Sequence, residues 1–178
     1  MRQLSFFDRA DGGASIGSTC CFTGHRPEKL KAGEAVLKAA LWKEITDAFE
    51  DEFSCFISGM SRGVDLWAAE LVLKLREMHP EVRLVCAVPF VGFADKWNDY
   101  WQGMYDRTMK EANEVRFICD KYNAGVFAER NRWMVDNSAR VIAVNNGTSG
   151  GTVSTIRYAV KQHREIVIID DIAMKGLE

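Results

Sequence analysis

Four segments rich in glycine and polar residues each follow a short apolar run, and their residue types could do chemistry. The first is GHRP, in which His25 could carry a proton and Arg26 could pair with a phosphate. The second is SGMSRGVD, the third is PFVG and the fourth is NNGTSGGT. Ligands of open α/β sheets bind outside the carboxyl ends of the strands. Four such segments at one sheet edge therefore predict a single pocket.

The NNGTSGGT segment has the clearest chemistry. It lies between an apolar run and a helical pattern, so backbone N–H groups and the positive helix end would face a ligand. Gly150 and Gly151 would let an anion approach closely, and Ser149 or Thr152 could donate a hydroxyl. The Walker motif and a GxGxxG after the first strand are both missing from the sequence. The alternative interpretation is a glycine-rich turn that binds nothing.

Three titratable side chains leave two or more interpretations open. Asp65 falls in the first turn of a helical pattern, where it either caps the helix or hydrogen-bonds a ribose. His25 is either an acid–base group or an ordinary loop histidine. Arg130 shares an apolar stripe with Phe127, so we expect it to be buried and to need an anionic partner. That partner is Glu129, another acidic side chain or a ligand phosphate.

Apolar runs alternate with helix-period segments through most of the chain. Helical stripes are predicted over residues 36–49, 64–75, 93–105, 127–138 and 153–160. The expected strands are Thr19–Thr23, Ser54–Ser58, Val82–Val88, Glu114–Ile118, Arg140–Val144 and Ile166–Ile169. This order predicts an α/β, Rossmann-like fold with a mostly parallel sheet and helices on both faces. Residues 1–17 are expected to form a flexible N-terminal arm, and residues 18–178 a single domain.

Composition places the chain among ordinary globular proteins. Of its 178 residues, 47% are hydrophobic and 27% are charged, and the net charge is −2. No apolar run approaches the roughly 18 residues of a membrane span, and the N-terminus does not resemble a secretory signal. The five cysteines lie in separate apolar runs, so we expect structural thiols and no metal site. These features favour a cytoplasmic protein.

Three longer strings resemble one known family when they are taken together. CFTGHRP, FISGMSRGVDLWAAE and ERNRWMVDNSARVIAVNNGTSGGT occur in the order typical of the YpsA-like branch of the SLOG superfamily, and the resemblance covers about residues 18–170. It implies a bacterial, Rossmann-like protein that binds a nucleotide or nucleotide-derived ligand, such as NAD or ADP-ribose, as a sensor or adaptor. No cofactor is identified.

The wider superfamily includes the cytokinin-activating LOG phosphoribohydrolases and the DNA-processing protein DprA, which imply two alternatives. ERNRWM resembles the LOG pattern E-R-K-x-x-M, with Asn131 in place of lysine. In the second LOG signature, PGGxGTxxE, the catalytic glutamate is replaced by Thr155, which cannot act as a carboxylate base. Hydrolysis of an N-glycosidic bond is the first alternative, with His25 or Asp65 as the acid–base group. Binding of single-stranded DNA, as in DprA, is disfavoured by the net charge of −2.

Contacts with a ligand and with partners complete the expectations. Phosphates are expected on the fourth segment and Arg130, and the sugar or base on the first two segments.

The short N-terminal peptide QLSFF resembles the motif with which bacterial proteins bind the replication sliding clamp. Aromatic residues between Phe90 and Tyr105 form core packing, a self-association face of a homo-oligomer or a ring that stacks on a base. The expected ligand-binding residues are Gly24, His25, Arg26, Ser58, Gly59, Met60, Gly63, Asp65, Pro89, Arg130, Asn131, Gly150, Gly151 and Thr152; those of the clamp peptide are Gln3, Leu4, Ser5, Phe6 and Phe7.

Overall fold

The computed structural model describes residues 15–177, in which six strands alternate with six α-helices. The strands are β1 (Thr19–Gly24), β2 (Cys55–Ser58), β3 (Arg83–Phe90), β4 (Glu114–Cys119), β5 (Arg140–Asn145) and β6 (Glu165–Asp170). The helices are α1 (Glu34–Glu50), α2 (Val64–Met78), α3 (Asp99–Glu111), α4 (Val126–Asp136), α5 (Gly151–Lys161) and α6 (Asp171–Met174). Short 3-10 helices lie at Ile16–Ser18 and Pro27–Lys29.

All neighbouring strands pair in parallel, in the order β4-β3-β2-β1-β5-β6. The register brings Cys21 beside Ile57 on one side and beside Val141 on the other. The first strand lies in the middle of the sheet, β2 to β4 extend the sheet to one side of it, and β5 and β6 extend it to the other. The prediction of a Rossmann-like α/β fold is therefore confirmed. The strand order reverses where β1 pairs with β5, and such folds bind ligands at the carboxyl edge of the sheet at that point.

Helices cover both faces of the sheet. One face carries α1, α2, α3 and α6 over a large apolar cluster in which Phe22 and Phe56 stack with ring centroids 6.0 Å apart. The other face carries α4 and α5 over a smaller cluster that includes Met134 and Ala159. Since both faces of the inner strands are covered, those strands read as continuous apolar runs in the sequence.

The elements lie close to where the sequence predicts them. Every strand begins and ends within two residues of its expected position. The third helix differs, because it begins at Asp99 and leaves Phe93 and Trp97 in the preceding turns. The reason is the cap residue Asn98, whose side-chain oxygen accepts a hydrogen bond from the Trp101 N–H and fixes the start of the helix. The short helix α6 was not predicted.

Some expectations concern residues that the structure does not describe. The clamp-like peptide Gln3–Phe7 lies outside residues 15–177, so binding to a sliding clamp stays a prediction. Within the described part of the chain, no helix is both long and apolar enough to span a membrane.

The five cysteines are free thiols, and four of them are fully buried. Burial raises the pKa of Cys55 to about 11 and the pKa of Cys21 and Cys86 to about 12. These thiols stay protonated at neutral pH and pack as small apolar groups. In residues 15–177, no group of three or more His, Cys, Asp or Glu side chains could hold a metal ion.

Candidate functional site

A cavity of about 410 Å³ lies at the carboxyl edge of the sheet, between the ends of β1 and β5. The loop after β1, the start of α2, one side of α4 and the start of α5 surround it. Its position is the reversal point of the strand order. The lining residues are Phe22, Thr23, Gly24, His25, Arg26, Glu28, Lys29, Ser61, Asp65, Phe127, Arg130, Asn131, Gly150, Gly151 and Thr152.

The start of α5 presents an open backbone surface to this cavity. Gly150 has φ +150° and ψ −166°, a conformation that side chains rarely allow, and Gly151 is the first residue of the helix. No heavy atom lies within 4 Å of the position that a Cβ would take at either glycine. Because the first N–H groups of a helix have no intrahelical partner, this end of α5 attracts an anion.

Two cationic side chains, Arg26 and Lys29, lie on the segment that follows β1. Arg26 and Lys29 line the cavity, are exposed, and have no ion-pair partner within residues 15–177. Glu28, which lies between them, is itself paired with Arg62 at 3.3 Å. The part of the rim that the β1 loop forms is therefore positively charged, which also suits an anionic ligand.

Two residues that the sequence did not single out hold this cationic segment in place. The Asn146 side chain donates a hydrogen bond to the Lys29 carbonyl at 2.9 Å. The carboxylate of Asp171, which is fully buried, accepts hydrogen bonds from the N–H groups of Lys31 at 2.7 Å and Ala32 at 2.9 Å. Asn146 belongs to the NNGTSGGT segment, but Asp171 follows β6 with no sequence pattern that would mark its role.

His25 lines the cavity as a buried imidazole with only 6% of its surface exposed, and its Nε2 has no hydrogen-bond partner in the structure. Burial lowers the pKa of His25 below its usual 6.5, although a hydrogen bond to Asn145 acts in the opposite direction. The ring is therefore neutral at physiological pH. A buried nitrogen without a partner costs free energy, which a ligand atom in the cavity would offset.

Arg130 and Asp65 form a buried ion pair in the opposite wall, with Arg130 Nη1 4.0 Å from Asp65 Oδ2. The guanidinium also donates to the Gly59 carbonyl, to Asn131 Oδ1 at 2.8 Å and to Ser61 Oγ at 3.4 Å. The Asp65 carboxylate accepts the Ser61 N–H at 3.2 Å. Burial raises the pKa of Asp65 against the opposing effects of Arg130 and Ser61, and it lowers the pKa of Arg130.

This pair identifies the partner that Arg130 needs. The anion is Asp65, another acidic side chain, and not the adjacent Glu129, which instead accepts a hydrogen bond from the Cys119 thiol at 3.1 Å. Asp65 therefore does more than cap a helix, because it also pairs with Arg130. Contact of either residue with a ribose or a phosphate stays a prediction.

The turn after β2 holds this wall in shape. Ser58 Oγ donates to the Asp65 carbonyl at 2.8 Å and accepts the Met60 N–H at 3.1 Å. Met60 is fully buried with φ +63°, a conformation that costs energy for a residue with a side chain. A Cβ on Gly59 would lie 2.6 Å from Arg130 Nη1, so only glycine admits the guanidinium at this position.

The cavity contains most, but not all, of the expected ligand-binding residues. Those that line it are Gly24, His25, Arg26, Asp65, Arg130, Asn131, Gly150, Gly151 and Thr152. Ser58, Gly59, Met60 and Gly63 lie behind the lining and shape the turn, with Gly63 packed against Pro27. Pro89 is buried inside β3, and the PFVG segment does not reach the cavity.

Thr155 occupies the position where the LOG pattern has its glutamate. Its hydroxyl donates to the Gly151 carbonyl at 2.8 Å, one turn earlier in α5, and only 5% of the residue is exposed. The side chain lines a groove next to the cavity and supplies no carboxylate. The arrangement therefore offers anion binding more clearly than acid–base catalysis.

The parallel sheet, its strand order and the cavity at the reversal point define a Rossmann-like α/β protein. Residues 20–175 match the sequence model of the YspA SLOG family, also called YpsA. Because this match covers most of the chain, the protein belongs to that family, which confirms the resemblance seen in the sequence.

Curated bacterial proteins share moderate identity with the chain. A UPF0398 protein from Brevibacillus brevis is 27% identical over 122 residues, which cover 67% of this chain and 65% of the relative. UPF0398 proteins from Bacillus pumilus and Bacillus thuringiensis are 25% and 28% identical and cover 79% and 81% of this chain, and 78% and 83% of their own lengths. The chain thus spans slightly less than two thirds of the Brevibacillus relative.

Two solved structures of DNA processing protein A share the fold. The protein from Streptococcus pneumoniae superposes with a TM-score of 0.61 at 16% identity, over 84% of this chain and 49% of its own. The protein from Helicobacter pylori, solved to describe its single-stranded DNA binding mode, superposes with a TM-score of 0.57 at 16% identity, over 89% of this chain and 71% of its own. At this identity the likeness concerns the fold alone.

Proposed function

We propose that this protein binds a nucleotide or nucleotide-derived ligand in the cavity between β1 and β5 and acts as a cytoplasmic sensor or adaptor. One observation carries the proposal. The open start of α5 at Gly150 and Gly151 shares the cavity with the side chains of Arg26 and Lys29 and with Nε2 of His25, none of which has an ion-pair or hydrogen-bond partner among residues 15–177. These groups call for a ligand that carries an anion and, separately, a polar group.

A phosphate would sit at the start of α5, where it accepts from the backbone N–H groups and from the Thr152 hydroxyl. Arg26 and Lys29 would approach it from the β1 loop. The sugar or base would then lie against His25, whose Nε2 gains the hydrogen bond that it lacks. The volume of about 410 Å³ falls within the usual range of roughly 300–1,000 Å³ for small-molecule sites.

Of the two candidate acid–base groups, Asp65 is already engaged and Nε2 of His25 is not, so binding is favoured over hydrolysis only by Asp65 and by Thr155. The Asp65 carboxylate faces Arg130 and accepts the Ser61 N–H, and the helix position that would carry a LOG-type glutamate holds Thr155. Single-stranded DNA offers the same phosphate, sugar and base groups, and the H. pylori protein of similar fold was solved for that binding mode. An oligonucleotide therefore belongs in the test.

The test is calorimetric titration of the purified protein with AMP, NAD, ADP-ribose and a short single-stranded oligonucleotide. We expect one of the small nucleotides to bind and to stabilise the protein by about 2.7 kcal/mol at 100 times its dissociation constant. Arg26→Glu should weaken binding at least tenfold, or about 1.4 kcal/mol. Lys110→Glu makes the same charge change on α3, outside the cavity, and should leave affinity unchanged.

Three results would redirect the proposal. Equal binding by Arg26→Glu and Lys110→Glu would remove the ligand from this cavity. No binding by any of the four ligands would reject nucleotide binding. Chromatographic detection of a cleaved product during the titration would establish the hydrolase alternative instead of the sensor.

A further inference from the structure

A second cavity, of about 650 Å³, lies between α4 and the exposed side of α5. Five of its residues come from α4 or the turn before it and six from α5, so it follows the length of the α5 helix. We call it the α5 groove. Its lining residues are Ala124, Phe127, Ala128, Asn131, Arg132, Gly151, Ser154, Thr155, Arg157, Tyr158 and Lys161.

The α5 groove adjoins the first cavity. Phe127, Asn131 and Gly151 line both spaces. Gly151 has no side chain, and nothing lies within 4 Å of the point that a Cβ would occupy. A ligand anchored at the start of α5 can therefore continue along the helix into the groove.

The groove is lined by three cations, Arg132, Arg157 and Lys161, and by no acidic residue. Neither Arg157 nor Lys161 forms an ion pair within the described residues, and both are exposed. Arg132 lies over the Tyr158 ring, 5.8 Å from its centroid, while the Tyr158 hydroxyl donates to Asp136. An anionic group is the complement of this lining.

The spacing along α5 indicates where the second anion would lie. Arg157 follows Gly151 by six residues and Lys161 by ten, which corresponds to about 9 Å and about 15 Å along a helix axis. Side chains of a helix lean toward its N-terminus, so both cations reach back toward the first cavity. These distances exceed the separation of adjacent phosphates in a diphosphate chain, which share one oxygen atom.

The space between the two anion positions suits a flat, partly apolar group. Phe127 lines both cavities and packs against the rings of Phe90, Phe93 and Tyr122, whose centroids lie 5.9–6.3 Å from its own. Ala124 and Ala128 leave room beside it. A base or sugar face can pack against this ring.

We propose that the α5 groove binds a second phosphate of the same ligand, carried on the far side of the nucleoside from the first. The ligand class is then a nucleoside with phosphates at two separate positions, as in a nucleoside 3′,5′-bisphosphate or the phosphorylated end of a dinucleotide. This inference rests on the proposed nucleotide site and specifies its ligand.

Two isomers provide the sharpest probe. Adenosine 3′,5′-bisphosphate and ADP have the same composition, but the first carries its phosphates apart and the second carries them in one chain. We expect the 3′,5′-bisphosphate to bind at least tenfold more tightly than ADP in calorimetric titration of the full chain. The Arg157→Ala/Lys161→Ala double variant should lose this preference and keep its affinity for AMP, which lacks the second phosphate.

The control variant removes two cations that lie outside both cavities, Lys96→Ala/Lys110→Ala, and should keep the tenfold preference. Equal binding of the two isomers to the unaltered protein, or a preference that survives in the α5 double variant, overturns the inference while AMP binding still supports the first site. If AMP, ADP and the bisphosphate all fail to bind, the nucleotide site and this extension are rejected together.

Discussion

The two walls of the first cavity differ in how their polar groups are satisfied. In the closed wall, formed by the β2–α2 turn and α4, Arg130, Asp65 and Ser61 bind one another. In the open wall, formed by the β1 loop and the start of α5, the side chains of Arg26 and Lys29 and the backbone of α5 line the cavity. Groups that are already satisfied stabilise the fold, whereas groups without partners are free to bind a ligand.

This difference makes opposite predictions for substitutions in the two walls. Changes in the closed wall should lower the free energy of unfolding, and changes in the open wall should lower affinity with little effect on stability. A substitution that behaves like those of the other wall would break the comparison.

The largest expected effect is on Arg130. Arg130→Met leaves the Asp65 carboxylate buried without its cation, and breaking a buried ion pair costs about 3–5 kcal/mol. Urea denaturation should show this loss as a lower midpoint. The double variant Arg130→Met/Asp65→Asn should recover part of the loss because no buried charge remains. An unchanged midpoint in the single variant would show that the pair does not stabilise the fold.

A smaller effect is expected at Gly59. The Cβ of Gly59→Ala would lie 2.6 Å from Arg130 Nη1 and 2.8 Å from Asp65 Oδ2, which forces the ion pair to move. We expect a loss of about 1–3 kcal/mol in the free energy of unfolding. Gly103→Ala is the control, since it lies within α3, its Cβ would meet only Arg107 Nη1 at 3.5 Å, and it should stabilise by about 0.5–1 kcal/mol. Similar midpoints for the two variants would contradict close packing at Gly59.

The open wall should respond in affinity instead. Gly151→Val places methyl groups in the space where a phosphate would approach, and no heavy atom lies within 4 Å of the position of its Cβ. We expect at least a tenfold loss of AMP affinity, about 1.4 kcal/mol, and a change in the free energy of unfolding within about 0.5 kcal/mol. Affinity for adenosine, which has no phosphate, should change far less. Equal losses for AMP and adenosine would mean that the start of α5 does not hold the phosphate.

Much of the contrast between the closed wall and the open wall could not be predicted from the sequence. The six strands could be predicted, because strands covered on both faces read as apolar runs. The burial of Arg130 could also be predicted, from its place on an apolar helix stripe. Its partner Asp65 could not, since the two residues are 65 positions apart and meet only through the tertiary fold.

The strand order explains the other differences between the predicted site and the observed one. The sequence predicts that four segments converge, but β3 lies two strands away from the reversal point between β1 and β5. The segment after β3 therefore falls outside the cavity, and Pro89 stays within its strand. Asp171 is the opposite case, a residue that the sequence did not single out but that supports the site. Its carboxylate reaches the backbone of Lys31 only because β6 lies beside β5.

The smallest expected effect is the pH dependence that His25 introduces. Because burial lowers its pKa in the folded state, the unfolded chain binds a proton more readily as the pH falls below about 6.5. The stability that the neutral ring contributes is present above this pH and is lost as the pH falls toward the pKa of the folded state. Denaturation at about pH 8 and about pH 5 should therefore show a larger loss in the unaltered protein than in His25→Gln.

The same measurement with bound AMP tests whether His25 belongs to the open wall. A phosphate near the ring favours the protonated form and raises its pKa, so saturating AMP should shrink the difference between the two proteins. Adenosine, which carries no anion, should leave the difference as it was. A difference that AMP does not alter would mean that the unpartnered Nε2 lies out of reach of the ligand's charge. His25 would then act on the ligand only through its proposed contact with the sugar or base, and the cations and the start of α5 alone would hold the phosphate.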